Sequence, residues 1–228
     1  MKQPNRVKAA MRAGRKGYGH NLSSHRGGRS TFWASSTSIL SSPTASTGRS
    51  AWTIFEDLCR TAESDDVTTI ARVPDIGSST ILRYLDRGIM GILGPHIATK
   101  ADARQLVQAC YFGLLKRAVI RCKPGYDYNA GIAGKASYYA EANEQMLVCA
   151  LLEDVAALDN LDAILSVPGI DLYSIGPNDL RGRFRSAQKD QRFESVKRVG
   201  TASGCPQRAR ILSTTSSSRC STSQQEEP

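Results

Sequence analysis

The sequence predicts an α/β fold in which short parallel strands alternate with helices. Three observations carry that expectation. Apolar or β-branched runs begin near residues 67, 89, 118, 146 and 170, at intervals of 22 to 29 residues. Helical patterns lie between most of them. Met146–Leu152 is apolar throughout, with no alternation. A strand that faces water on one side alternates, whereas one covered on both faces does not, so this run points to a parallel sheet. The rhythm is that of repeated βα units, in an open doubly wound sheet or a closed barrel. No G-x-G-x-x-G follows an early strand, so a dinucleotide fold has no support.

In chain order, Asn5 to Ala13 reads as a short helix stopped by Gly14. From Leu22 to Ser50 the periodicity is lost; 12 of the 21 residues from Ser30 to Ser50 are Ser or Thr, too polar to offset their ordering entropy by burial. Ile54 to Glu63 returns to helical spacing through Ile54, Leu58 and Ala62. Val67 to Val73, stopped by Pro74, reads as a strand. Ser79 to Arg87 is a helix closed by Gly88, and Ile89 to Ile97 the next strand. Thr99-x-x-Asp102 has the form of a capping box opening a helix with Ala103, Leu106, Val107 and Cys110 on its apolar side. Ala118–Ile120 reads as a short strand, Lys123 to Gly134 as a long loop, Ser137 to Gln145 as a helix, Asp154 to Val167 as one amphipathic helix and Ile170 to Ile175 as the last clear strand. Arg181 to Pro228 is basic and then Ser/Thr-rich, without a core pattern. The chain thus divides into a helical start (1–21), a Ser/Thr-rich segment (22–53), a βα-repeat domain (54–180) and a basic tail (181–228).

The net charge of +9 resides in the ends. Residues 1–50 carry nine basic and no acidic side chains, residues 181–228 ten basic and four acidic, which leaves 51–180 at −6. Basic tails suit phosphate contacts, so a non-enzymatic nucleic-acid-binding protein is the competing reading; no aromatic-interleaved platform or known module accompanies them. No run approaches the roughly 18 to 20 apolar residues that span a bilayer, which argues against a membrane partner. The six cysteines show no C-x-x-C pairing, the pattern of reduced, buried thiols in a cytoplasmic protein.

Active sites of parallel βα folds are built at the carboxyl ends of strands. Arg72, Glu153 and Asp179 occupy such positions. Two carboxylates without His or Cys partners suit a hard divalent cation, Mg²⁺ or Mn²⁺. From spacing alone, capping of the following helices is the simpler explanation of the two acids, and a structural ion pair explains a buried Arg72.

The segments Arg72-Val-Pro, Gly91 to Pro95, YYAEANEQML (Tyr138 to Leu147), Leu152-Glu153, Asn160 to Asp171 and Ile175-Gly-Pro-Asn-Asp-Leu180 resemble the HpcH/HpaI aldolase/citrate lyase family over about residues 54–180. Asn5 to Gly19 resembles its opening helix, which argues against reading the acid-free N-terminus as a transit peptide. The resemblance implies a TIM (β/α)8 barrel-type fold, incomplete here and with poorly ordered basic ends. It implies a homo-oligomeric lyase that cleaves a 4-hydroxy-2-oxo acid to pyruvate and an aldehyde through a metal-chelated enolate. Carried over, Glu153 and Asp179 hold the metal, Arg72 faces the oxo and carboxylate oxygens of the small-molecule substrate and acts as the catalytic cation, and amides near Gly176 and Asn178 contact the substrate carboxylate.

Two departures accompany the resemblance. The family's early acid/His motif, which serves proton transfer, has no counterpart before Ile54; His20, His25 and His96 read as incidental or structural. Leu151 stands where the family often has Gln, and no further strand is recognisable after Leu180. Both flanks are Ser-rich, basic and abruptly bounded by family-like sequence, as shifted reading frames or misplaced splice boundaries would leave them, and weak folding with low activity is expected of such a chain. The expected trace is an acid/His strand before Ile54 in another frame of the encoding DNA; its absence from both other frames sinks the explanation.

Overall fold

The computed structural model describes residues 4–15, 19–22, 37–40, 51–113, 135–175 and 210–213. In chain order these form α1 (Arg6–Arg12), β1 (Gly19–Leu22), β2 (Thr37–Leu40), α2 (Ala51–Ser64), β3 (Thr68–Arg72), α3 (Ser78–Leu85), β4 (Gly91–Gly94), α4 (Lys100–Cys110), α5 (Lys135–Gln145), β5 (Leu147–Leu152), α6 (Val155–Asp159), α7 (Leu161–Leu165), β6 (Leu172–Ile175) and β7 (Arg210–Ser213). The seven described strands make one sheet, every pair parallel and in the order of the chain. A doubly wound sheet reverses its strand order at a switch point; strands in unbroken chain order are those of a (β/α) barrel.

Period-2 alternation sorts the strand side chains onto two apolar faces. Val148, Ala150 and Leu152 of β5 join Ala71, Ile92 and Tyr173 in the layer packed against α2, α3, α4 and α7. Leu147 and Cys149 point the other way, into a second cluster with Ile70, Leu172 and Val7 of α1, bordered by Met11 and Leu93. Every residue of β5 is therefore buried, as its unbroken apolar run requires. The inner cluster includes α1, which lies across the amino-terminal ends of the strands and plugs the barrel there.

That plug is held by polar groups that would otherwise be buried without partners. Asn5 is fully buried. Its Oδ1 accepts the Val7 and Lys8 N–H groups at 3.1 Å, capping α1. Its Nδ2 donates to the Gln145 carbonyl at 2.9 Å and the Met90 carbonyl at 3.2 Å, at the starts of β5 and β4. Lys8 Nζ reaches the Met146 carbonyl at 2.7 Å and Asp171 at 3.1 Å, while Asp171 accepts the Val148 N–H at 2.9 Å. Burial, and then the Asp171 charge, pushes the Cys149 thiol and the Tyr111 phenol well above their ordinary ranges, so both stay neutral. Cys59, Cys110 and Cys149 are buried and unbridged, as the sequence pattern anticipates for them.

Thr99 and Asp102 form the expected capping box of α4, and the turn after α3 ends at Gly88 with φ +97°. Four differences from the sequence reading are informative. β2 lies inside the Ser/Thr-rich segment read as unstructured, pairing with β1 and β3 through Thr37–Leu40, and β7 lies inside the basic tail. Four β-compatible residues suffice once ladders wait on either side, which local composition does not reveal. α2 begins at Ala51 and buries Phe55, Cys59 and Ala62. The helix expected over 154–167 is two pieces, because Asn160 leaves helical geometry and donates from Nδ2 to the Ala98 and Ala156 carbonyls, both at 3.0 Å. β4 pairs directly with β5, so no strand from the intervening chain stands between them; Ala118–Ile120 lies outside the described residues.

Asn5→Ala removes a cap and two buried donors together. It should destabilise the protein by about 2–4 kcal/mol, read as a lower urea midpoint, and Asn5→Asp, which keeps the cap acceptor but turns a carboxylate oxygen onto two buried carbonyls, should lower the midpoint at least as far.

Candidate active site

Ile70 faces the barrel interior, so Arg72, two residues on, emerges on the same side at the carboxyl end of β3. Leu147 and Cys149 set the same parity on β5, which delivers Glu153 just past the strand end. Register places these ends together: Arg72 is paired with Leu93, Gly94 with Ala150, and Leu152 with Ile175. The β4–β5 ladder is interrupted at Pro95-His96 and resumes with the Ile97 N–H donating to the Leu151 carbonyl at 3.2 Å. The interruption is a kink in which His96 takes φ +52°, a region that side-chain-bearing residues seldom enter. Gly94 permits the approach that precedes it, since a Cβ there would meet both methyls of Leu106 on α4 at 2.8 Å.

These elements converge on one carboxylate. The Glu153 side chain is 2% exposed. Arg72 Nη2 donates to its Oε2 at 3.2 Å and lies 3.5 Å from Oε1. The His96 backbone N–H donates to Oε1 at 3.2 Å. The His96 ring completes the cluster, with Nδ1 3.3 Å from Glu153 Oε1 and 3.0 Å from Asp154 Oδ2. A carboxylate removed from water needs donors in place of its lost hydration, and here a guanidinium and a backbone amide supply them.

The geometry decides two of the alternatives that the sequence leaves open. Glu153 caps no helix: α6 has Asp154 at its N-cap position without a side-chain cap bond, and the Glu153 carboxylate turns to Arg72 and His96. Arg72 was expected to be a buried guanidinium in need of an anion. Instead its side chain is 45% exposed, and the buried partner is the acid. His96, read from the sequence as incidental or structural, lies beside the Glu153 carboxylate and bonds it through its backbone N–H. The signal that finds it is the one that selects Arg72 and Glu153, position directly after a strand end, here the Gly94-Pro95 end of β4. Asp179, Gly176 and Asn178 lie outside the described residues, as does His25. His20 falls within β1.

The donor chemistry of Glu153 fits a hard divalent cation. Oε2 accepts from Arg72 alone among the described residues and retains lone-pair capacity, and carboxylate oxygen is the ligand such ions prefer. Among the described residues no group of three or more His, Cys, Asp or Glu side chains is arranged to hold an ion.

The fold and the site define an α/β barrel with an acid–guanidinium pair at the carboxyl ends of its strands. The chain belongs to the HpcH/HpaI aldolase/citrate lyase family, which it matches over residues 43–218. That span is wider on both sides than the stretch in which the motifs are legible. It is 39% identical over 105 residues to a hydroxypyruvate/pyruvate aldolase of Rhizorhabdus wittichii, covering 45% of this chain and 39% of that protein. It is 34% identical over 119 residues to a 4-hydroxy-2-oxovalerate aldolase of Novosphingobium aromaticivorans, covering 50% of this chain and 42% of that protein. The chain thus spans less than half the length of these two relatives. The crystal structure of an HpcH/HpaI aldolase from Desulfitobacterium hafniense superposes with a TM-score of 0.71 at 20% identity, over 91% of this chain and 90% of that one. The fold is the TIM-type barrel of that family. Among the described residues no helix is long and apolar enough to cross a membrane.

The two halves of the Arg72–Glu153 pair should differ in what their loss costs. Arg72→Ala leaves a buried carboxylate short of its cation and should lower stability by about 1–3 kcal/mol, whereas Glu153→Gln leaves a solvated guanidinium and should cost less. Urea midpoints of the two variants, measured with and without Mg²⁺, provide the comparison. Mg²⁺ should recover part of the Arg72→Ala loss and none in Glu153→Gln.

Proposed function

We propose that this chain is a metal-dependent aldolase that cleaves a 4-hydroxy-2-oxo acid to pyruvate and an aldehyde. The observation that supports the reading most directly is the buried Glu153 carboxylate, unused as a helix cap and paired with Arg72 where the strands end. The aldolase names of the aligned relatives point the same way. In this reading Glu153 and Asp179 hold Mg²⁺ or Mn²⁺. When bound, such an ion supplies Lewis acidity that withdraws electrons from the substrate's 2-oxo group.

The remaining work falls to the protein's side chains. Arg72 presents guanidinium N–H groups to the substrate carboxylate and to the oxo oxygen as negative charge grows there, a fixed donor that needs little rearrangement at the moment of reaction. Its planar fork can bind two oxygens at once, which a lysine ammonium in its place would not reproduce. Amides near Gly176 and Asn178 add contacts to the substrate carboxylate. The early acid/His motif has no counterpart in this sequence, so proton transfer at the aldehyde oxygen is the step we expect to limit turnover. The cytoplasm and a homo-oligomeric state complete the proposal.

Pyruvate released from 4-hydroxy-2-oxopentanoate should require Mg²⁺ or Mn²⁺ and disappear with a chelator. Arg72→Ala should lower kcat/KM by roughly 10²–10³, the usual cost of removing a donor to a developing oxyanion, and Arg72→Lys should recover only part. Turnover of Glu153→Gln at the wild-type rate, with the same metal dependence, would falsify the assignment.

A further inference from the structure

We propose that Asn160 is a positioning residue of the site. It holds the Ala98 carbonyl, and through it the kinked backbone whose His96 N–H fixes the Glu153 carboxylate in the orientation that leaves Oε2 for the cation. The inference rests on the metal assignment within the aldolase reading above.

Asn160 stands where α6 meets α7, with φ −103° and ψ 12°. Asparagine just ahead of a helix ordinarily spends its side-chain oxygen on that helix's own N–H groups. Asn160 makes no such bond. Its Nδ2 donates instead to the carbonyls of Ala98 and Ala156, both at 3.0 Å. Both partners only accept, so the nitrogen of the amide is the atom that faces them. The Ala156 bond is local, one turn back along the chain. The Ala98 bond spans 62 residues and reaches the connection between β4 and α4. A continuous helix is thus given up at Asn160, and its side chain goes to a neighbouring βα unit.

The far end of that bond is the segment that serves Glu153. The His96 N–H donates to Glu153 Oε1, the Ile97 N–H to the Leu151 carbonyl and the Ala98 N–H to Asp102 Oδ2, each at 3.2 Å. With the Asn160 bond, three of the four partners of residues 96–98 belong to the single stretch 151–160. The fourth, Asp102, sits in the first turn of α4 and moves with the connection itself. His96 has φ +52°, and a residue with a side chain stays in that region only where its surroundings over-determine it. Leu151 and Asn160 supply that constraint from the unit that carries the acid. Loss of the Asn160 amide releases one side of the clip, lets the kink relax and draws the His96 N–H away from Oε1. A ligating carboxylate is held in its working orientation by such outer partners, so the consequence falls on the cation.

The test separates positioning from general stability. Asn160→Ser is too short to reach Ala98, and serine, a good residue ahead of a helix, keeps the break between α6 and α7. Asn160→Ala should behave alike. Asn143→Ala is the control: its amide also bonds a distant backbone, the Phe112 N–H at 2.8 Å and carbonyl at 3.0 Å, but ahead of β5 rather than at its carboxyl end. Labelling with ¹⁵N-histidine marks three amides, and that of His96 is identified by its disappearance in His96→Gln. In metal-free Asn160→Ser the His96 amide should exchange with solvent about tenfold faster than in wild type. The same protein should bind Mn²⁺, followed by the electron spin resonance of the free ion, about five- to tenfold more weakly. Asn143→Ala should leave both within about twofold, even where its urea midpoint falls as far. Wild-type exchange at His96 or wild-type Mn²⁺ binding in Asn160→Ser, or equal shifts in Asn143→Ala, overturn the inference while leaving the aldolase reading in place. Wild-type protein that neither takes up Mn²⁺ nor releases pyruvate overturns the aldolase reading, and this inference with it.

Discussion

The constraint on which this architecture turns is the need to supply a carboxylate with hydrogen-bond donors where little water reaches it. Glu153 stands at the end of a strand buried on both faces, 2% exposed. A carboxylate there requires compensation from neighbours at fixed distances. Arg72 supplies it across the sheet, and the kinked backbone at His96 supplies it from the strand between them. Three consecutive strand ends are thereby committed to one pair of oxygens. If any of the three shifts its register by one residue, its contribution points into the wrong layer.

Register is secured mostly away from the site. The inner cluster of Ile70, Leu147, Cys149 and Leu172 fills the barrel beneath the carboxylate, and the outer layer packs the same strands against their helices. At the opposite end α1 bonds backbone carbonyls at the starts of β4 and β5 through Asn5. The polar groups of that end tie α1 to the sheet, and those of the carboxyl end converge on Glu153. Such a separation is general to parallel βα barrels, since loops at one end vary without disturbing the packing at the other.

Much of this was legible in the sequence where the signal is local or periodic. The unbroken apolar run of β5, the Thr99–Asp102 box and the strand-terminal positions of Arg72 and Glu153 all announce themselves within a few residues. What was hidden depends on partners distant in the chain. β2 is a strand because β1 and β3 flank it, although its own neighbourhood is rich in Ser and Thr. Asn160 breaks a helix to reach Ala98, 62 residues away in sequence. His96 reads as incidental or structural in the sequence because it stands at a different strand end from the early acid/His motif; its contacts come from a left-handed turn and from acids 57 and 58 residues further on.

The bonds between Asn5 and Gln145 join residues 140 positions apart. Closing a flexible loop of that length costs about 4 kcal/mol of chain entropy by itself. Contacts of this kind form late, after local βα units have already condensed. α1 precedes β5 in the chain and cannot complete these bonds until Gln145 is in place. A helix early in the sequence is thus placed only once residues 140 positions further on are in position, so its docking reports that the β4 and β5 ends of the sheet have come together.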